Sequence, residues 1–422
     1  MLPAIIIIFW ILVFLFCIYK FKIFNVSGIK KQLLIAAFIF KIALGCLNFY
    51  IWQNVIGHGD SLRYFNDSKL VYSALNESPK DYLKLVFGYN KSGMSPDLKY
   101  YEDRLNIAWT VPEYHMVRIN AILNVFTMGN AYGNIIILSF IYFLVLIIFI
   151  KTLFNFNLID TTSRMQTFIL LFLPSVVFWC SGILKEGPVL TLLCIIIIQC
   201  LHLEKILNFK RLIYLITALF FLFLVRDYLM ALIIPNLILW FIVRKNSKHA
   251  IRIFSIVSTS FISMLLIVAW LQPQLNVILW LKNEQNYFLL EPPDQDYTFS
   301  PLTGQVKDVI KKTPYAVNNI LFRPNLFHSK DLFRIYISFE LICIWLLIIW
   351  FVWNKKSTVK LPLTYILMLF FSIELMIAYG LITTDADTLS RYRSVPLFFI
   401  LVMVMLFRNS KEEKDMATAT VV

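Results

Sequence analysis

Apolar runs of 16–22 residues recur along the chain, broken by short charged or Gly/Pro-containing segments. The runs are continuous rather than alternating, and each can cross a hydrocarbon core of about 30 Å as a helix. In lipid only helices or closed barrels satisfy their own backbone, and continuous apolar runs select helices. The pattern predicts about eleven spans, near 2–19, 33–55, 132–151, 165–182, 188–203, 211–225, 228–243, 253–271, 335–353, 362–381 and 394–407. Between them it leaves two long connections, 56–131 and 272–334. The expected fold is an all-α polytopic membrane protein, one membrane domain over 1–422, with no linker, low-complexity run or internal repeat dividing it.

Helical periodicity also marks amphipathic segments within the first long connection. From Ser61 onward, Leu70, Val71, Ala74 and Leu75 form one apolar stripe. Further on, 111–134 is apolar enough to enter a membrane, yet it carries Glu113, His115 and Arg118, with breakers at Gly129 and Gly133. An interfacial or re-entrant helix leading into the third span is expected there. Gly187 and Pro188 read as a helix stop followed by a Pro in the next first turn.

Composition supports the same class. Of 422 residues, 59% are hydrophobic and only 15% charged, too little charge to cover a soluble surface. The formal net charge of +14 does not indicate nucleic acid, because Lys and Arg fall mainly in short loops between spans. Basic loops set topology and bind anionic lipid head groups. The segments 20–31, 202–211, 244–252 and 354–360 are basic and alternate, as do 152–164 and the charged tail 408–415. This predicts an N-terminus outside, a C-terminus in the cytoplasm and both long connections outside, in a multi-pass cytoplasmic (inner) membrane protein. The opening run MLPAIIIIFWILVFLF lacks a basic n-region and is expected to be a retained span. The six cysteines show no CxxC or Cys/His spacing and read as apolar filler.

The candidate chemistry collects on the expected outer side. Asp60 stands where the second span emerges and the amphipathic helix begins, with Arg63 and Asp67 on its face. It reads either as an N-cap or as a base able to deprotonate an acceptor hydroxyl. Glu102 and Asp103 are a second acidic pair, open to acid/base or metal roles or to a solvated cluster. His115 and Arg118 share a helix face. Lys185 and Glu186 occupy a short turn, and Arg226 with Asp227 another; at this depth they should face the bundle or a wet cavity. Arg323, His328, Lys330 and Arg334 form a basic patch before the ninth span, and Glu340 lies two turns into it. Asp385, Asp387, Arg391 and Arg393 occupy the last outer turn. Cations at apolar helix ends suit a lipid-linked phosphate or pyrophosphate, or alternatively phospholipid head groups.

Taken together, GDSLRYF (59–65), FWCSGILKEG (178–187), LFRPNLF (321–327) with Glu340, and SRYRSVP (390–396) resemble the GT-C superfamily of polyprenyl-phosphate-sugar-dependent glycosyltransferases. The closing RYR is similar to that of bacterial members acting on surface polysaccharides or proteins. Here the outer loop follows the second span, and Asp60 has no immediate acidic neighbour. The resemblance implies inverting transfer of a sugar from a polyprenyl-phosphate donor to an extracytoplasmic glycan, lipid or protein. It implies Asp60 as base and Arg63, Arg118, Lys185, Arg226, Arg323, Arg391 and Arg393 as phosphate-binding candidates, Arg391 or Arg393 foremost. Glu186 and Glu340 would orient those cations. A divalent metal is compatible, but no ligand cluster demands one. An O-antigen-type polymerase or ligase, without an essential carboxylate base, is the alternative enzyme. A lipid-linked glycan transporter or flippase would need charges at mid-span, where Glu340 and Glu374 are the exceptions.

Overall fold

The computed structural model describes residues 2–88, 96–109, 111–159, 163–244, 250–271, 277–289, 301–326, 332–354 and 362–405. They are helical, with no strand among them. Among the described residues, seven helices are long and apolar enough to cross a membrane. The chain packs as two compact units.

The first unit holds α1 (Leu2–Lys20), α2 (Lys31–Ile51), α3 (Asp60–Glu77), α4 (Pro79–Phe87), α5 (Pro96–Glu102), α6 (Tyr114–Thr127), α7 (Ala131–Asn155), α8 (Arg164–Phe172), α9 (Pro174–Trp179), α10 (Glu186–Lys205, through Gln199) and α11 (Phe209–Val225). The second holds the end of α10 and α12 (Leu229–Val243, from Ala231), α13 (Ala250–Leu271), α14 (Val277–Phe288), α15 (Val306–Phe322), α16 (Leu332–Trp353), α17 (Leu363–Ile382) and α18 (Ala386–Met405). The expected spans at 2–19, 33–55, 132–151, 188–203, 335–353, 362–381 and 394–407 fall on the seven long helices. The other four fall on α8–α9, α11, α12 and α13. Exposed Ile5, Ile8, Phe9, Leu12 and Phe16 on α1 make a face that hydrocarbon solvates without cost.

In the first unit, α3, α4 and α6 pack over the ends of α2 and α7. The apolar stripe of α3 performs as its spacing predicts: Val71 and Ala74 are fully buried, and Leu70 and Leu75 pack against the same core. Asp67, on the face expected for Asp60 and Arg63, is buried instead. Its carboxylate accepts from Asn106 N, Asn106 Nδ2 and Ile107 N at 3.1, 2.7 and 2.9 Å, fastening the segment after α5. The re-entrant reading of 111–134 resolves into α6, a left-handed turn at Met128 and Gly129, and α7. Asn120, Asn124 and Thr127 on α6 meet Asn134 on α7 in a buried amide network, where each polar group needs its partner.

Two expectations are corrected here. The segment 165–182 is not one helix. Pro174 cannot donate to the helix ladder, so α8 stops at Phe172 and α9 ends at Trp179. Residues 180–185 follow without helical form, and Lys41 of α2 answers their polar groups: its Nζ donates to Cys180 O at 2.8 Å and Ser181 Oγ at 3.0 Å. Gly187 is not a helix stop either. It lies in the first turn of α10, where an added Cβ would collide with the Tyr142 ring, so close packing on α7 is what requires glycine.

In the second unit, α17 is the central helix, packed against α13, α14, α15 and α18. Glu204 reaches its N-terminus and accepts from Leu363 N, Thr364 N and Thr364 Oγ1, satisfying donors the helix leaves open.

Candidate functional site

A short π-helical turn, Trp52–Ile56, continues α2 and is closed by Gly57. Gly59 then takes φ +135°, and a Cβ there would lie 2.7 Å from the Trp52 ring. Only glycine fits both demands. Asp60 is therefore the first residue of α3, not its N-cap, which is Gly59. That corrects the capping expectation. The first turn of a helix still favours a carboxylate there through the helix dipole.

Three ion pairs follow in the first unit. Asp60 Oδ1 accepts from Arg63 Nη2 at 2.6 Å; the two side chains are 28% and 47% exposed. Glu113, just before α6, pairs with Lys185 Nζ at 2.5 Å. Glu186 accepts from Arg226 Nη2, and this pair is deeply buried, 1% and 5% exposed. Arg226 also donates to Tyr228 Oη at 2.8 Å. The adjacent Lys185 and Glu186 thus pair outward, with partners just before α6 and just after α11, and not with each other.

The pairs form one electrostatic cluster. Lys185 feels the charges of Arg226, Glu113 and Asp60, and its Nζ stands 6.0 Å from the Tyr64 ring centre. Burial, reinforced by Arg226, lowers the Lys185 ammonium below the usual lysine range despite Glu113. Burial alone would raise the half-exposed Glu113 carboxyl, but the Lys185 charge and hydrogen bond outweigh it and hold it low. His115 is lowered by burial, then by Arg118 and Lys185, and so is neutral near pH 7. Arg118 donates to Gly88 O at 2.9 Å and stands 5.2 Å from the Tyr114 ring centre. Glu102 ends α5 half-buried, and Asp103 after it is exposed. Among the described residues no group of three His, Cys, Asp or Glu side chains is placed to hold a metal.

Arg323, Arg391, Arg393 and Glu340 belong to the second unit. Arg393 is buried and donates to Ile320 O at 3.2 Å and Arg323 O at 2.6 Å, so its guanidinium serves the C-terminal carbonyls of α15. Arg323 lies over Tyr315 and Arg391 over Tyr392. Asp385 caps α18, accepting from Thr388 N at 2.7 Å. Glu340 is buried within α16. His328 and Lys330 lie outside the described residues.

Sequence reasoning named Glu113 but gave it no role, and it passed over Lys41, Tyr64 and Tyr228. A lysine directly after eight apolar residues (33–40) was the one legible signal among these. No family model, curated protein or solved structure matches the chain.

Proposed function

We propose that this is an integral-membrane glycosyltransferase of GT-C type, with about eleven spans. It would move a sugar from a polyprenyl-phosphate donor to a glycan, lipid or protein acceptor at the extracytoplasmic face of the cytoplasmic membrane. The observation that carries the reading is the cluster in the first unit. A part-exposed carboxylate at a helix start stands within one network of three cations at the ends of apolar helices.

In this reading the acceptor O–H gives its proton to the Asp60 carboxylate as its oxygen attacks the anomeric carbon. The bond from that carbon to the phosphate oxygen breaks, and its electron pair leaves with the phosphate. Attack opposite the leaving group inverts the centre. Arg63 and Lys185 are the phosphate contacts, exchanging a carboxylate partner for a more highly charged one. Arg226, held by Glu186 and Tyr228, fixes the turn that presents Lys185. The polar break at 180–185, answered by Lys41, supports the same placement.

The test is transfer by purified protein in lipid, with a panel of labelled polyprenyl-phosphate sugars and cell-envelope acceptors. Asp60→Asn is expected to keep donor binding and lose roughly 10²–10⁴-fold in transfer rate, the usual worth of a positioned base. Transfer surviving in that variant sinks Asp60 as base and favours the polymerase or ligase mechanism.

A further inference from the structure

Glu374 lies within α17, the central helix of the second unit. It stands eight positions before Ile382, so about 12 Å of helix lies between it and the nearer end at ~1.5 Å per residue. Its carboxyl accepts from Asn236 Nδ2 at 2.7 Å and is hydrogen-bonded to the Ser258 hydroxyl. Asn236 is the central residue of α12 and directly follows Pro235, and Ser258 lies well inside α13; both are buried. The three groups come from three helices and meet far from the helix ends.

The charges around them offer no compensation. α12 carries no charged residue. Among the described residues of the helices packed on α17, no charged group acts on this carboxyl. Arg252 is near the start of α13, and Lys282 and Glu284 are on α14. On α15 Asp308 and Lys312 pair with each other, and Arg393 of α18 is engaged with backbone carbonyls. A carboxylate at hydrocarbon depth with only neutral donors costs several kcal/mol, whereas the neutral acid does not.

The amide suits both protonation states. Its Nδ2 donates to the carboxylate and to Leu232 O at 2.9 Å. Its buried Oδ1 makes no hydrogen bond, and a half-turn of the amide would present it to an acid O–H.

We propose that Glu374, Asn236 and Ser258 form a reversible intramembrane proton-binding site, separate from the ion-pair cluster of the first unit. Binding takes a proton from water and forms the O–H bond of the acid. Release returns the proton to water and leaves a carboxylate held by the amide and the hydroxyl.

The test uses full-length protein in lipid vesicles treated with dicyclohexylcarbodiimide, which modifies protonated carboxyls in apolar surroundings, followed by peptide mass mapping. Glu374 is expected to be modified at neutral pH. Modification is expected to persist at pH values where an ordinary carboxyl is fully ionised, and to be lost only on raising the pH further. Glu374→Gln, checked for a monodisperse elution profile, should lose the adduct. Asn236→Leu should keep the adduct and move the half-point of that loss upward, because the carboxylate form loses its donor. A half-point in the ordinary carboxylate range, or one unmoved by Asn236→Leu, overturns the proposal. Protection by Na⁺ at fixed pH would mark a metal-cation site and overturn it as well.

Discussion

Glu186 and Glu374 both belong to helices long and apolar enough to cross a membrane, and the two units treat them differently. Glu186 meets a guanidinium, Arg226, in a pair almost closed to solvent. Glu374 meets an amide and a hydroxyl. In the first arrangement, attraction between opposite charges in a low-dielectric setting offsets much of the desolvation cost. The second supplies no charge and so favours the neutral acid. The first unit also sets the part-exposed Asp60 and Glu113 beside Arg63 and Lys185. That suits an anionic ligand, whereas the second arrangement suits a proton.

The sharpest way to break this contrast is to remove one side of the buried pair. Arg226→Met leaves Glu186 without its cation and is expected to cost about 3–5 kcal/mol, seen as a large fall in the thermal unfolding midpoint in detergent. Glu186→Leu combined with Arg226→Met should recover most of that loss, since neither charge then remains. An Arg226→Met midpoint equal to wild type would mean that Glu186 does not depend on that guanidinium.

A third treatment of a buried acid gives the next largest effect. Asp67 is answered by two backbone N–H groups and one side-chain amide. Asp67→Ala leaves those donors without their acceptor, and a loss of about 2 kcal/mol is expected, in the range for hydrogen bonds to a charged group. Faster amide hydrogen exchange at Asn106 and Ile107 should accompany it. Unchanged protection at both would show that the segment after α5 is held by packing alone.

These assignments were only partly legible in the sequence. The long apolar runs carry α2, α7, α10, α16, α17 and α18 directly, because burial in lipid demands a continuous pattern. The stripe of α3 follows from its spacing. The break between α8 and α9 had a visible signal in Pro174, hidden by the apolar residues on either side. Ion-pair partners had no such signal. Glu113 and Lys185 are 72 positions apart, and Glu186 and Arg226 are 40 apart. Adjacent Lys185 and Glu186 suggest a local pair, but residues next to each other at a helix start point in different directions. The pairing of Glu374 with Asn236 is equally a product of packing, since nothing in α12 or α17 alone specifies it.

A smaller effect separates the exposed edge of the cluster from its interior. Glu113 is 45% exposed, so solvent screens its bond to Lys185, and Glu113→Gln is expected to cost less than about 1 kcal/mol at pH 7. Its folded carboxyl is held low, by Lys185 against the effect of burial. The stability it adds is therefore present above the unfolded-state value of about 4.3 and lost as pH falls through the lower folded value. The midpoint difference between wild type and Glu113→Gln should shrink below about pH 4. A difference that persists in acid would assign the effect to packing.

The smallest expected change is the most discriminating. Glu374→Gln replaces a neutral acid by a neutral amide of nearly the same shape. The carbonyl oxygen remains to accept from Asn236 Nδ2 and the Ser258 hydroxyl. If Glu374 is neutral in the folded protein, the midpoint at neutral pH should move by less than about 1 kcal/mol equivalent, because hydrogen bonds are exchanged and no charge is lost. If it is instead an ion without a cation, removing the charge should stabilise the fold by several kcal/mol. A marked rise in the midpoint would therefore place Glu374 beside Glu186 as a retained charge and erase the contrast. A nearly unchanged midpoint, alongside the collapse expected for Arg226→Met, would keep the two carboxyls in separate chemical roles.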